Sequence, residues 1–229
     1  MEYEASLIEV IELTDVIKSF RFTIPDGFNF TAGQFAYLKP ADKMMKCLSF
    51  SNSPTEKGYV EFTTKMSGSP YKNALGALKA GDKVRIQGPF GNFTYRPGLK
   101  RMSFLSGGIG ITPIRSICKY LTDEKIDCDI ILLYGNNSER EIAFKKDFDE
   151  MGRLNKRLKV VSVLANPSSN WAGHRGFITA SLIEKEIPDF QERAFYICGP
   201  PGMVSAMSKT LEELKVGKED IVLENFAGY

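Results

Sequence analysis

The chain has 229 residues, 43% of them hydrophobic and 25% charged, with a formal net charge of +2. That length suits one large domain or two medium ones, and so balanced a charge argues against a nucleic-acid or anionic-membrane partner. No apolar run is long enough to span a bilayer, and the acidic start Glu2-Tyr3-Glu4 lacks the apolar core of a signal peptide, so no membrane insertion and a cytoplasmic location are expected.

In chain order, short aromatic and β-branched runs come first. They predict strands at Ala5 to Leu13, Ile17 to Thr23, Gln34 to Leu38, Cys47 to Phe50, Tyr59 to Thr64 and Lys83 to Gln87. Turn signals separate them, among them Pro25-Asp26-Gly27, Lys57-Gly58 and Ala80-Gly81-Asp82. Six such strands suggest a small closed antiparallel barrel rather than an open sheet with long edges. One helix interrupts them: Ser69 is a good N-cap, Pro70 fits the first helical position, and Leu75 and Leu78 share a face. After Arg96-Pro97-Gly98 the rhythm changes. Strand-like runs at Met102 to Leu105, Asp129 to Tyr134, Leu158 to Leu164, Ala194 to Cys198 and Ile221 to Leu223 now alternate with helical ones at Pro113 to Leu121, Ala143 to Met151, Ile178 to Glu186 and Pro201 to Leu214. This predicts βαβ units on a doubly wound parallel sheet, with a barrel domain over residues 1–98 and an α/β domain over residues 99–229.

Three constellations carry chemistry. The first is Phe104 to Pro113, FLSGGIGITP. Gly107, Gly108 and Gly110 can take φ > 0 and admit a close ligand, and Pro113 suits a first helical position. A glycine turn feeding a helix N-terminus holds phosphates, although it does not match GxGxxG and such a turn can also serve packing alone. The second is Phe195 to Met203, where a strand again ends in a Gly/Pro turn opening a helix. Two such turns from parallel strands open at the ligand-binding carboxyl edge of the sheet; by residue type alone Cys198 reads first as an ordinary buried thiol. The third, Gly33-Gln34-Phe35 with Lys46-Cys47-Leu48-Ser49-Phe50-Ser51, lies in the barrel and by itself is a strand pair with polar alternation. Cys47, Cys118, Cys128 and Cys198 show no CxxC spacing for a metal clip or iron–sulfur cluster, so no metal site is expected.

In this order the three motifs resemble the ferredoxin–NADP reductase superfamily over nearly the whole chain. Lys46, Leu48, Ser49 and Ser51 stand at the positions of its barrel motif R-x-Y-S-x-[ST]. Gly107, Gly108, Gly110, Thr112 and Pro113 match GGxGxTP, and Cys198, Gly199 and Pro200 match its CGP turn. The resemblance implies a six-stranded Greek-key flavin-binding barrel followed by a nicotinamide-nucleotide α/β domain. It further implies FAD rather than FMN, with NADH or NADPH as substrate. Ser49 would lie near flavin N5 and Cys198 beside the nicotinamide, and both would act by positioning.

The resemblance also makes Glu224 part of a terminal E-x-aromatic, with Phe226 as the aromatic that covers the flavin and Tyr229 as its competitor. It assigns Phe50, Thr64, Lys65, Ser69, Tyr71, Lys72, Pro201 and Met203 to cofactor binding. Lys46 keeps the charge of the family arginine but not its bidentate fork, and Lys72 at the barrel helix would supply the missing electrostatics. Leu48 replaces a stacking tyrosine, and Phe50 is a candidate for that lost contact. Ser138 and Arg140 suit a 2′-phosphate while Glu139 and Glu141 oppose it, so the nucleotide stays open. His174 reads as a turn residue, with a nucleotide contact as the alternative. The function implied is an NAD(P)H oxidoreductase passing electrons to a separate one-electron acceptor, ferredoxin first. The alternatives are a subunit of a larger redox complex, a flavin or iron reductase, and a non-enzymatic nucleotide-binding module.

Overall fold

The computed structural model describes residues 2–226. Among them, two six-stranded sheets follow one another along the chain. The first contains β1 (Glu2–Glu12), β2 (Ile17–Phe22), β3 (Phe35–Ala41), β4 (Met44–Ser49), β5 (Val60–Lys65) and β6 (Lys83–Phe90), in the order β4-β3-β6-β1-β2-β5. Its pairings are antiparallel, and the non-sequential neighbours β3–β6 and β2–β5 give it a Greek-key path. The sheet curls into a half-barrel whose edges, β4 and β5, meet at a single bridge between Phe50 and Phe62. Alternate residues such as Phe20, Phe22, Leu38 and Ile86 are buried in its interior. The helix α1 (Pro70–Gly76) packs against β3 and β4. As the sequence suggests, Ser69 caps it by accepting from the Lys72 amide.

The second sheet contains β7 (Arg101–Gly107), β8 (Asp129–Asn136), β9 (Leu158–Leu164), β10 (His174–Arg175), β11 (Ala194–Gly199) and β12 (Ile221–Asn225), all parallel, in the order β10-β9-β8-β7-β11-β12. Its central strands are near-continuous apolar runs because both faces are covered. Helices α2 (Ile111–Asp123) and α3 (Lys145–Leu154) cover the face carrying Phe104, Leu132 and Tyr196; α4 (Ala180–Glu186) and α5 (Pro201–Glu213) cover the face carrying Leu105, Leu133 and Ile197. The chain winds outward from β7 to β10, then returns to lay β11 and β12 on the other side of β7. The winding reverses between β7 and β11, which is where α/β sheets open a ligand crevice.

The two sheets share a core. Ile17, Ala32 and Phe93 of the N-terminal half belong to the same apolar cluster as Ile114, Ile117 and Cys118 of α2, and the Tyr196 hydroxyl donates to the Thr94 carbonyl at 2.9 Å.

Among the places where the structure differs from the sequence reading, three bear on the nucleotide half. A single 3₁₀ turn, Gly108–Gly110, precedes α2, so Pro113 is the third helical residue rather than the first. A proline fits there equally, because none of the first four amides has a partner within the helix. The helix α3 starts two residues later than expected because Phe144 adopts a left-handed φ of 58°. The strand β10 is only two residues long, too short to carry a periodicity, and places His174 on the sheet edge, 3.2 Å from the Glu186 carboxylate.

Candidate active site

The turns after β7 and β11 lie side by side, and glycine is what lets them. A Cβ on Gly110 would stand 2.4 Å from the Cys198 carbonyl oxygen, and one on Gly107 would stand 2.3 Å from the Met203 sulfur. Of the three glycines expected to use positive φ, only Gly108 does, at 53°, with open space around it; Gly110 is required by close approach to backbone, and Gly107 lies close to the Met203 side chain. Thr112 turns its hydroxyl back to the Ile109 carbonyl at 3.1 Å, and Thr112 and Pro113 are both buried. Pro200 ends the second strand segment, and Pro201 takes the first position of α5.

Strand register brings Ser106, Cys198 and Glu224 level on three adjacent parallel strands. The Ser106 hydroxyl is buried and makes no hydrogen bond among the described residues. Burial, and then the neighbouring Glu224, pushes the Cys198 thiol well above its ordinary range, so it is a neutral, shape-filling group. Burial also raises the Glu224 carboxyl. Its native form therefore holds a proton more tightly than its unfolded form, so the stability it contributes is full in acid and is lost as pH rises through the raised value. Glu224→Gln should raise the melting temperature relative to the parent in alkaline buffer and leave it unchanged in acid; a thermal melt series showing the reverse order would contradict this. The Phe226 amide donates to the Gly199 carbonyl at 3.0 Å, tying the residue across the second turn, and its ring packs on the shared core. Tyr229 lies outside the described residues.

A cleft of about 550 Å³ opens at these turns, lined by Gly107, Gly108, Asn136, Asn137, Pro200 and Met203, with Phe177 79% exposed on its wall. The Asn136 carboxamide is buried there with neither end hydrogen-bonded among the described residues. Among the described residues, Glu141 is the one charged residue lining it. Arg140 is ion-paired to Asp15, and Arg175 donates to the carbonyls of Ser168, Ser169 and Trp171.

On the barrel side, Ser49 is buried at the end of β4, and its hydroxyl has no hydrogen-bond partner among the described residues. The Thr64 hydroxyl on β5 is likewise buried and unpaired. Lys72 is buried, and burial, then Lys65 and Lys46, lower its pKa. Lys65 and Lys46 thus stand near enough to Lys72 to disfavour its charge, which a dianionic diphosphate would offset. Lys65 also reaches Glu141 at 2.9 Å, across to the nucleotide cleft. These unpaired hydroxyls and neighbouring cations fit a flavin dinucleotide.

Four expected cofactor residues make contacts within the barrel. Phe50 is fully enclosed, its ring stacked on Phe30 at 4.3 Å between centroids, so it presents no open face to a ligand. Leu48 is buried in the same cluster. The Tyr71 hydroxyl is committed to the Leu38 carbonyl at 3.1 Å. Ser51 donates to Glu61 at 2.9 Å and lies 2.8 Å from the Thr63 hydroxyl, within a buried network that the Arg21–Glu61 ion pair closes at 2.8 Å. Alternation along the strand separates Ser49 and Ser51 from Leu48 and Phe50.

With that geometry in place, the similarity to known proteins is decisive. Residues 4–95 match the model of the oxidoreductase FAD-binding domain, and residues 104–209 match that of the oxidoreductase NAD-binding domain. The chain belongs to the ferredoxin–NADP reductase superfamily. It is 32% identical to the F subunit of the Na(+)-translocating NADH-quinone reductase of Pseudoalteromonas atlantica, over 93% of this chain and 57% of that protein. Against its counterpart in Pseudomonas aeruginosa it is 34% identical, over 89% and 53%. The chain thus spans about half the length of these relatives. Its fold superposes on the cytochrome b5 reductase domain of Ulva prolifera nitrate reductase with a TM-score of 0.88 at 23% identity, covering 98% of this chain and 97% of that one. As a member of the superfamily, the chain is an oxidoreductase that uses FAD and a nicotinamide nucleotide. Sequence reasoning missed Phe177, Glu61 and Arg115. A lone aromatic in a glycine turn and two ordinary-looking charges give no periodic signal, and only burial or exposure in the fold singles them out.

Proposed function

We propose that this chain oxidises NADH and delivers its electrons, through FAD, to a one-electron centre outside residues 2–226, either on a partner such as a ferredoxin or elsewhere in a larger redox assembly. The observation that carries the reading is the meeting of the two sites: β5, which bears Thr64 and Lys65, comes within 8 Å, Cα to Cα, of the Gly108–Gly110 turn. When bound, FAD accepts hydride at N5 and releases electrons singly.

The protein's part is positional. Lys46, Lys65 and Lys72 hold the diphosphate, with Ser69 shaping the start of α1. Ser49 and Thr64 donate to the flavin ring system. Gly107, Gly108, Gly110, Thr112 and Pro113 hold the nucleotide together with Cys198, Gly199, Pro200, Pro201 and Met203, and Phe226 covers the flavin. The exposed ring of Phe177 offers a stacking surface on the cleft wall.

NADH is favoured over NADPH because no lysine or arginine lines the cleft among the described residues, the nearby Arg140 and Arg175 are committed elsewhere, and Lys65 is ion-paired to the cleft's Glu141. The relatives named as NADH-quinone reductase subunits support the same choice and support membership of a complex. Among the described residues no helix is long and apolar enough to cross a membrane; the proposed place of work is the cytoplasm, where NADH is supplied.

Anaerobic titration of the flavin absorbance tests the reading. NADH should bleach it stoichiometrically, and NADPH should bind about 10- to 100-fold more weakly, the worth of one or two unmade charged hydrogen bonds. Equal or better use of NADPH would reverse the nucleotide assignment, and no bleaching by either would remove the oxidoreductase reading.

A further inference from the structure

Arg115 sits on α2, five residues beyond Gly110, and is 5% exposed. Its guanidinium joins three segments. Nη1 donates to the Ser51 carbonyl at 3.0 Å, Nη2 to Glu56 Oε1 at 3.0 Å, and Nε and Nη2 to Asp147 Oδ2 at 2.9 and 2.7 Å; Glu56 Oε2 also accepts from Nη1. The next residue, Ser116, donates to the Asn52 carbonyl at 2.6 Å. Asn52 in turn grips β5, its carboxamide donating to the Tyr59 carbonyl at 2.9 Å and accepting the Glu61 amide at 2.8 Å. Two consecutive residues of α2 therefore fix the segment 51–56, which begins two residues after Ser49. The same helix opens at the glycine turn.

A buried ion cluster is a poor way to gain stability, since desolvation offsets most of its attraction. What a planar, forked guanidinium supplies beyond an apolar contact is direction: several bonds at fixed angles, which do not slide. We propose that Arg115 is a positioning residue that sets the separation and angle between the flavin end of β4 and the nucleotide turn before α2. The proposal rests on the NADH–FAD reading above.

Arg193 provides a matched control. It is also 5% exposed and paired with two carboxylates, Asp129 and Asp189, but it lies at the amino edge of the sheet, away from the cleft. The test compares FAD-loaded Arg115→Met, Arg115→Lys and Arg193→Met. Arg115→Met should retain FAD and keep its NADH affinity within about twofold, while the rate of flavin bleaching falls about 10- to 100-fold, the usual effect of an ångström-scale misplacement. The long-wavelength charge-transfer absorbance that follows mixing should weaken, and amides 52–56 should exchange faster. Arg115→Lys should recover part of the rate, and Arg193→Met should lose stability yet keep both rate and absorbance. If Arg115→Met does not fold, Glu56→Gln opens one side of the cluster and is judged by the same signals. Wild-type rate and absorbance in the Arg115 or Glu56 variant, or losses that simply follow melting temperature in both arginine variants, would overturn the proposal. Failure of NADH to bleach the parent protein would instead defeat the underlying reading and take this proposal with it.

Discussion

Gly110→Ala is expected to slow flavin reduction by NADH about 100-fold and to destabilise the protein by about 1–3 kcal/mol, the usual range for an overpacked site. The added methyl would overlap the Cys198 carbonyl, which stands 2.4 Å from where it must go, and the atoms beyond that oxygen are backbone, not a side chain that can swing away. The two turns must separate, and they form the floor of the cleft. Gly202→Ala is the matching control: nothing lies within 4 Å of its added methyl, and inside α5 alanine should be neutral or slightly stabilising. Thermal melts and anaerobic stopped-flow measure both effects. A Gly110→Ala protein with parental melting temperature and rate would mean the turns do not need their present spacing.

Ser49→Ala should slow the same step by about 10- to 100-fold while leaving FAD bound, because its proposed work is to orient the flavin at N5 rather than to hold the dinucleotide. The stability cost should be small. The hydroxyl has no protein partner to lose among the described residues, and removing an unpaired polar group strands nothing. Parental reduction kinetics would exclude the N5 assignment, whereas loss of FAD would move Ser49 into the anchoring set.

Much of this architecture could be read from the chain because it rests on local periodicity. Met102 to Leu105 and Ala194 to Cys198 are apolar on both faces, as buried parallel strands must be, and Ser69-Pro70 announces a helix start by capping chemistry alone. The glycine turns were legible as turns but not in their reason: sequence cannot tell a glycine that bends the backbone, such as Gly108, from one that makes room, such as Gly110. The resemblance assigned Leu48 and Phe50 to the flavin; Leu48 on β4 and Phe50 just after it alternate with Ser49, and both belong to the buried barrel cluster. Arg115 and Glu61 were invisible for a different cause. Isolated charges usually lie on the surface, and only tertiary packing reveals that these two are enclosed and fully paired.

The shared core has a bearing on how such proteins can be recombined. Because Ile17, Ala32 and Phe93 interlock with α2, the two halves are not free cassettes. A chimaera that joins this nucleotide half to a foreign barrel inherits an apolar footprint cut for one mate, and swapping modules to redirect electron flow means carrying those three side chains across with the graft.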